Sequence, residues 1–168
     1  MIRIARQTDY AARLLLHLAS LEEGASASIV EISAQRLLPV PFVRRMVAPL
    51  VAAGILKTTR GSKGGIQLGR PASEISLGDL LLAMEGPIAL NECVHLPNAC
   101  PFMHSCPVQK AWVDVSAALT EHLASIRFDA LATSTEGHVA RTPRARPAPP
   151  PLPASIAHTV DWRKTWTS

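Results

Sequence analysis

The sequence predicts a mainly α-helical fold with one small β-hairpin and a long helix after it. Three observations support this prediction. Apolar residues recur at helical spacing in several early segments, and two β-like runs flank the glycine-rich stretch RGSKGG. The helical spacing then returns over about 20 residues after Pro107. With 168 residues, the chain is long enough for one domain with a substantial core.

Two helices are predicted in the first part of the chain. The first is expected over residues 8–21, with Thr8 as its N-cap and Asp9 in its first turn, where an acid suits the helix dipole. A short second helix, over about 29–37, is indicated by a capping-box pattern at its start. That pattern consists of Ser28 and Glu31.

A third helix is expected from Pro41 to about Ala53. Pro49 lies inside it and removes one backbone hydrogen bond, so a kink is expected in its second half. The residues predicted to face the core are Phe42, Met46 and Leu50.

The hairpin is predicted from two runs, 55–59 and 66–68, on either side of RGSKGG. A helix that ends near Glu85 should follow, because Ser76 and Asp79 form a second capping pattern.

The last predicted helix starts after Pro107 and ends near Arg127, a length of about 30 Å. Its apolar residues recur at three-four spacing, as in a coiled-coil seam. They are Trp112, Val115, Leu119, Leu123 and Ile126.

These elements divide the chain into three predicted parts. Residues 1–70 form a winged helix-turn-helix DNA-binding domain. Residues 71–132 hold the long helix and, before it, the cysteine loop, which is the stretch 91–107 that contains all three cysteines. Residues 133–168 form a disordered Pro-rich basic tail. The tail is either a flexible appendage or a nonspecific nucleic-acid contact made through Arg141, Arg144 and Arg146.

Three helices followed by a glycine-tipped hairpin are the order of a winged helix-turn-helix, whose third helix enters the major groove. Arg44 and Arg45 lie early in helix three, where side chains reach base edges, and Arg60 and Lys63 flank the hairpin tip, where backbone phosphates are met. Residues 1–70 carry ten Lys or Arg against four Asp or Glu, which favours a polyanionic partner. The alternative for these arginines is an exposed, solvated face.

All three cysteines, Cys93, Cys100 and Cys106, lie in one Pro-rich stretch, NECVHLPNACPFMHSCP. Three cysteines cannot all pair in disulfides. Six and five residues separate neighbouring cysteines, which is more than the two to four residues within the cysteine pairs of common zinc sites. Thiolates at this spacing suit a loop around an iron–sulfur cluster. A metal-free redox-sensing loop and chance clustering are the alternatives.

Residues 1–132 resemble the winged-helix iron–sulfur regulators of the Rrf type, which include IscR and NsrR. The matching stretches are TDYAARLLLHLA, AGILKTTRGSKGGIQL, SLGDLLLAMEG, the three cysteines, and the Trp-containing helix that precedes IRFDALA. The resemblance implies a homodimer joined by the long helix, and transcriptional control at a double-stranded DNA operator, commonly repression. It also implies a cluster held by Cys93, Cys100 and Cys106, with 4Fe–4S favoured and 2Fe–2S open.

The resemblance leaves the fourth cluster ligand open. IscR-like members have a histidine three residues after the last cysteine, where this chain has Gln109. NsrR-like members use an acid of the partner subunit's first helix, which corresponds to Asp9. Asp9 could instead simply favour the helix dipole. His95 and His104 lie within the loop and are further candidates.

The sequence also bears on two other functions. A cluster-free regulator that senses oxidants through its thiols remains open. An enzyme is not expected, since the chain has no phosphate-binding glycine loop, no Ser/His/Asp order and no second cysteine set. Without a signal-peptide pattern or a membrane-spanning apolar run, a cytoplasmic protein is expected.

Overall fold

The structure is a computed structural model that describes residues 3–59, 61, 64–96, 100–102 and 105–134. Residues 135–168 of the predicted tail, together with Arg60, Lys63 and His104, lie outside the described residues, whereas Thr133, the first residue of that tail, belongs to a helix. None of the helices in the described part combines the length and apolar composition needed to span a bilayer.

The described residues form six α-helices and one antiparallel two-stranded sheet, which confirms the predicted fold class. Short 3-10 turns follow the hairpin and open the cysteine loop. In chain order the elements are α1 Arg6–Ala19, α2 Ile29–Arg36, α3 Val40–Ala52, β1 Leu56–Thr59, β2 Gly65–Leu68, the turn Ala72–Glu74, α4 Leu77–Glu85, the turn Glu92–Val94, α5 Pro107–Ser125 and α6 Phe128–Thr133.

The starts of α2 and α4 follow local sequence signals. The Ser28 hydroxyl accepts a hydrogen bond from the Glu31 N–H at 3.1 Å, which caps α2 as predicted. At α4 both halves of the capping box form between Ser76 and Asp79. These caps fix where each helix begins, because they satisfy N–H groups that the helix leaves unpaired.

The predicted N-cap of the first helix is wrong. α1 begins at Arg6, and Thr8 is a buried residue inside the helix rather than its cap. The N–H of Ala5, just before the helix, donates to Glu85 Oε1 of α4 at 3.0 Å. A tertiary contact therefore helps fix this helix start, and local sequence cannot show it.

One hydrophobic core joins α1 and α3 to α4 and α6. Met46, Leu80 and Phe128 are fully buried in it. The prediction that Phe42 faces this core is wrong, since its side chain is 37% exposed and Val43 is buried instead. The Phe42 ring packs edge-to-face against Tyr10 of α1, with ring centroids 5.7 Å apart.

The hairpin has the predicted antiparallel pairing, with Leu56 opposite Leu68 and Thr59 opposite Gly65. Ala27, just before α2, adds a bridge by exchanging two backbone hydrogen bonds with Ile66, at 3.0 and 2.9 Å. A Cβ on Gly65 would lie 2.7 Å from the Ala27 carbonyl oxygen, so only glycine allows this approach. The hairpin is thus held to the helical body rather than projecting freely.

The long helix α5 packs along α4 and ends beside its start. The Leu77 N–H donates to the Ile126 carbonyl at 2.8 Å, and the Phe128 N–H donates to the Ile75 carbonyl at 3.0 Å. Gly78 lies so close to α5 that a Cβ there would be 3.1 Å from the Ala124 nitrogen. The helix that begins at the last cysteine therefore ends on the body of the domain.

Asp79 is expected to contribute measurably to stability. Asp79→Ala should lower the free energy of unfolding by about 1–2 kcal/mol, because its carboxylate accepts hydrogen bonds from Ser76 and pairs with Arg70 at 3.2 Å. Partial burial alone would raise the pKa of Asp79, but the hydrogen bonds from Ser76 and the Arg70 charge outweigh it and lower the pKa.

This pKa direction gives a pH test of the Asp79 prediction. The carboxylate's contribution should be present above about pH 4, the range of an unfolded aspartate, and be lost as the pH falls through the lowered folded pKa. Urea unfolding of wild type and Asp79→Ala over a pH series measures this. A stability difference that does not shrink in acid would contradict the prediction.

Candidate functional site

The three cysteine side chains line one cavity of about 280 Å³. All three are free thiols of intermediate exposure. The other residues that line the cavity are Asn91, Glu92, Val108, Gln109 and Trp112. The fold therefore brings together three soft donors that are separated by up to 13 positions in the sequence.

Two of the cysteines lie in defined elements. Cys93 lies in the 3-10 turn Glu92–Val94, and Cys106 is the N-cap residue of α5, directly before Pro107. The N-terminus of a 19-residue helix thus borders the cavity. Its unpaired N–H groups favour negative charge there, such as a thiolate or a thiolate-bound cluster.

Among the described residues, no three His, Cys, Asp or Glu side chains already form a group that could hold a metal ion. The donor set nevertheless fits an iron–sulfur cluster, because three free thiols, which bind iron as thiolates, share one cavity. Cys93, Cys100 and Cys106 would hold such a cluster through their thiolates.

The candidate fourth ligands lie in different places. Gln109 lines the cavity, and its Nε2 donates to the Cys93 carbonyl at 3.3 Å. His95 is exposed and does not line the cavity. Asp9 lies on the exposed surface of α1, outside the wall of its own chain's cavity, and pairs with Arg13 at 2.8 Å.

Sequence reasoning did not place four residues in the cavity wall, namely Asn91, Glu92, Val108 and Trp112. Glu92 adds a carboxylate to the wall, and its place directly before Cys93 was the available signal. Trp112 was predicted only as part of the helix seam. Its place beside the cysteines depends on how α5 packs, which the sequence does not show.

The arginines of the predicted DNA interface are exposed on α3. Arg44 and Arg45 face away from the core, while their neighbours Val43 and Met46 are buried. Lys57 of β1 is an exposed cation that sequence reasoning did not single out. The exposed side of α3 and the hairpin can therefore both present positive charge.

A series of contacts connects Asp9 with the start of α3. Asp9 pairs with Arg13, whose guanidinium carbon lies 5.7 Å from the centre of the Tyr10 ring. Tyr10 contacts Phe42, which precedes Arg44 by two residues on α3. A change at Asp9 thus has a short physical path to the helix that carries the exposed arginines.

Comparison with known proteins matches these features to one family. Residues 4–134 match the family model Rrf2, described as an iron-dependent transcriptional regulator. The chain is also 35% identical over 131 residues to protein aau3 of Rhizobium meliloti (strain 1021), a match that covers 77% of this chain and 84% of that protein.

Solved structures show the same fold. CymR, the global cysteine regulator of B. subtilis, has a TM-score of 0.66 at 27% identity, and the match covers 80% of this chain and 99% of CymR. IscR of T. potens has a TM-score of 0.63 at 23% identity, with coverage of 84% of this chain and 94% of IscR.

Proposed function

The chain belongs to the Rrf2 family of DNA-binding transcriptional regulators, and we propose that an iron–sulfur cluster on Cys93, Cys100 and Cys106 switches its operator binding. The observation that carries this proposal is the single cavity lined by all three free cysteines at the start of α5. A bound cluster would supply a centre that reacts with nitric oxide or oxidants and responds to iron–sulfur supply. A 4Fe–4S cluster is favoured, with 2Fe–2S as the alternative, and repression is the proposed outcome.

DNA recognition is proposed for the exposed side of α3 and for the hairpin. Arg44 and Arg45 would reach base edges in the major groove, because they lie in the first half of α3 and are exposed. Arg60 and Lys63, which follow β1 in the sequence, would meet phosphates. Support comes from the arrangement of three helices and a paired hairpin within a family that binds DNA.

A homodimer is proposed with its interface on α5. Val108, Trp112 and Val115 recur at spacings of four and three residues and are all exposed. Such a row forms an apolar stripe on one side of a helix, and exposed apolar stripes mark protein interfaces. A second copy of this helix would cover the stripe, and the cysteine cavity, which Val108 and Trp112 also line, would then lie beside the interface.

The same arrangement suggests how the signal reaches DNA. We assign the fourth ligand to Asp9 of the partner subunit, because Asp9 is exposed and its ion pair with Arg13 is an exposed, weak one that a contact with another chain can replace. When the carboxylate is held there, α1 is fixed, and its contact through Tyr10 to Phe42 fixes α3. Release of Asp9 would let α1 and α3 move together.

The alternative is a cluster-free regulator whose thiols respond directly to oxidants. Three free, partly exposed cysteines around one cavity can form a disulfide as well as hold a cluster. The likeness to CymR of Staphylococcus aureus, which has been solved in an oxidized form, favours keeping this second function.

Anaerobic purification separates the two functions. The cluster proposal expects coloured protein with about four iron and four sulfide per chain for 4Fe–4S, or about two of each for 2Fe–2S. Operator affinity, on duplexes selected from random DNA, should differ between cluster-loaded and cluster-free protein. Colourless protein without sulfide, whose operator binding changes on thiol oxidation, would replace the cluster proposal with the alternative.

Arg45→Ala is expected to reduce discrimination between operator and random DNA by about 1–3 kcal/mol, because it removes a base contact. Competition binding with both duplexes at fixed salt measures this discrimination. The comparison variant is Lys57→Ala, which removes an exposed cation from β1 of the hairpin and should leave the discrimination between the two duplexes unchanged. An equal loss of affinity for both duplexes in Arg45→Ala would contradict the placement of α3 in the groove.

Lys63→Ala is expected to weaken binding to operator and random DNA alike. A phosphate contact carries no sequence information, and its loss should lower the slope of log affinity against log salt by about one. A salt titration of both duplexes measures the slope. Loss of sequence discrimination with an unchanged slope would contradict a phosphate contact.

A further inference from the structure

The segment that leads into the cysteine loop is held on α5 by two hydrogen bonds. Gln109 of α5 donates from Nε2 to the Cys93 carbonyl at 3.3 Å. Ser116, two turns further along, accepts from the Leu90 N–H at 3.3 Å, and Ser116 itself is buried. Residues seven apart lie on the same side of a helix, so the segment that leads to Cys93 follows that side of α5.

We propose that Gln109 is a positioning residue that holds Cys93 beside Cys106. Cys106 is the N-cap of α5, and Gln109 lies three residues later in the first turn of that helix. The hydrogen bond therefore connects the backbone of the first cysteine to the turn that begins at the third. Because this bond joins residues at the two ends of the intervening segment before any ligand binds, part of the entropy cost of bringing Cys93 and Cys106 together is already met.

The chemistry of glutamine suits this role. Its amide N–H can donate to a carbonyl, while an amide is a weak ligand for iron compared with thiolate or imidazole. The bond to Cys93 is partly buried, so water replaces it poorly. Gln109 can thus order the cavity without competing with the sulfurs for a metal, although it occupies the position where IscR-like relatives have a histidine.

The inference rests on the proposed function in one respect, namely that the cysteines act together on one cluster. Gln109→Leu removes the donor and keeps a side chain of similar size and helix propensity. Cluster loss to an iron chelator, measured anaerobically by absorbance, should be about three- to tenfold faster in Gln109→Leu than in wild type. Ser125→Ala is the matched control, because it removes a side-chain hydrogen bond at the other end of α5, to the His122 carbonyl at 2.7 Å.

A second measurement needs no cluster. In a Cys100→Ser background without iron, Cys93 and Cys106 are equilibrated with glutathione. Two protein thiols and one oxidised glutathione give one protein disulfide and two reduced glutathione molecules. Gln109→Leu should lower this equilibrium constant about three- to tenfold, while Ser125→Ala leaves it unchanged and both variants keep the wild-type melting temperature within a few degrees.

The chelator measurement and the glutathione equilibrium separate the proposed cluster function from the positioning role of Gln109. Wild-type protein without a cluster would defeat the proposed function, yet the thiol equilibrium would still test Gln109. An equilibrium constant unchanged by Gln109→Leu would overturn the positioning role, whatever the cluster does. An equilibrium constant that falls equally in Gln109→Leu and Ser125→Ala would also overturn the positioning role, because it would indicate a general destabilisation of α5.

Discussion

Replacing any one of Cys93, Cys100 or Cys106 with alanine is expected to give colourless protein that retains almost no iron or sulfide and still dimerises. With one thiolate removed, one iron of the cluster loses its protein ligand, and the two remaining sulfurs do not hold the cluster. The apolar stripe of α5 is untouched by these changes, so the proposed dimer should survive. Iron and sulfide analysis after anaerobic purification, with sedimentation for the dimer, tests this.

Ser105→Ala is the matched control for the cysteine variants. Ser105 is adjacent to Cys106 and exposed, but it does not line the cysteine cavity. It should keep the full cluster content of wild type. Full retention of iron and sulfide in any one cysteine variant would contradict the assignment of that cysteine, and a colourless Ser105→Ala would indicate that the loop tolerates no change.

Local signals in the sequence were sufficient for much of the fold. The Ser76–Asp79 capping box and the hairpin around RGSKGG were predicted correctly, because each depends on residues within a few positions of one another. The start of α1 was not predicted correctly, because the carboxylate that accepts a hydrogen bond from the Ala5 N–H belongs to Glu85, eighty positions away. The prediction that Phe42 faces the core failed for a similar reason, because its ring packs against Tyr10, which lies on another helix.

The candidate site likewise has residues that the sequence could single out and residues that it could not. Clustering in the sequence was enough to single out three cysteines, and the structure places them around one cavity. The role inferred for Gln109 could not be predicted, because its partner is a backbone carbonyl sixteen residues earlier in the chain. Gln109 becomes informative only when the path of the segment before Cys93 along α5 is known.

Asp9→Ala is expected to make the cluster labile or change its spectrum, and to uncouple operator affinity from cluster state. In the proposed dimer this carboxylate ligates the cluster of the partner subunit and so fixes α1. Without it, α1 and the contacting Tyr10–Phe42 pair no longer respond to the cluster. Half-sites of an operator have fixed spacing, so a small movement of α3 loses base contacts in one half.

Arg13→Ala provides the control that separates ligation from the ion pair. It breaks the same exposed Asp9–Arg13 contact but keeps the carboxylate, and an exposed pair contributes only about 0–1 kcal/mol to stability. The cluster spectrum should therefore change in Asp9→Ala and not in Arg13→Ala, with both variants dimeric and folded. Unchanged spectrum, cluster lifetime and switching in Asp9→Ala would make Asp9 an acid that only favours the helix dipole. The fourth ligand would then be sought at His95, at His104 and at Glu92, the carboxylate already in the cavity wall.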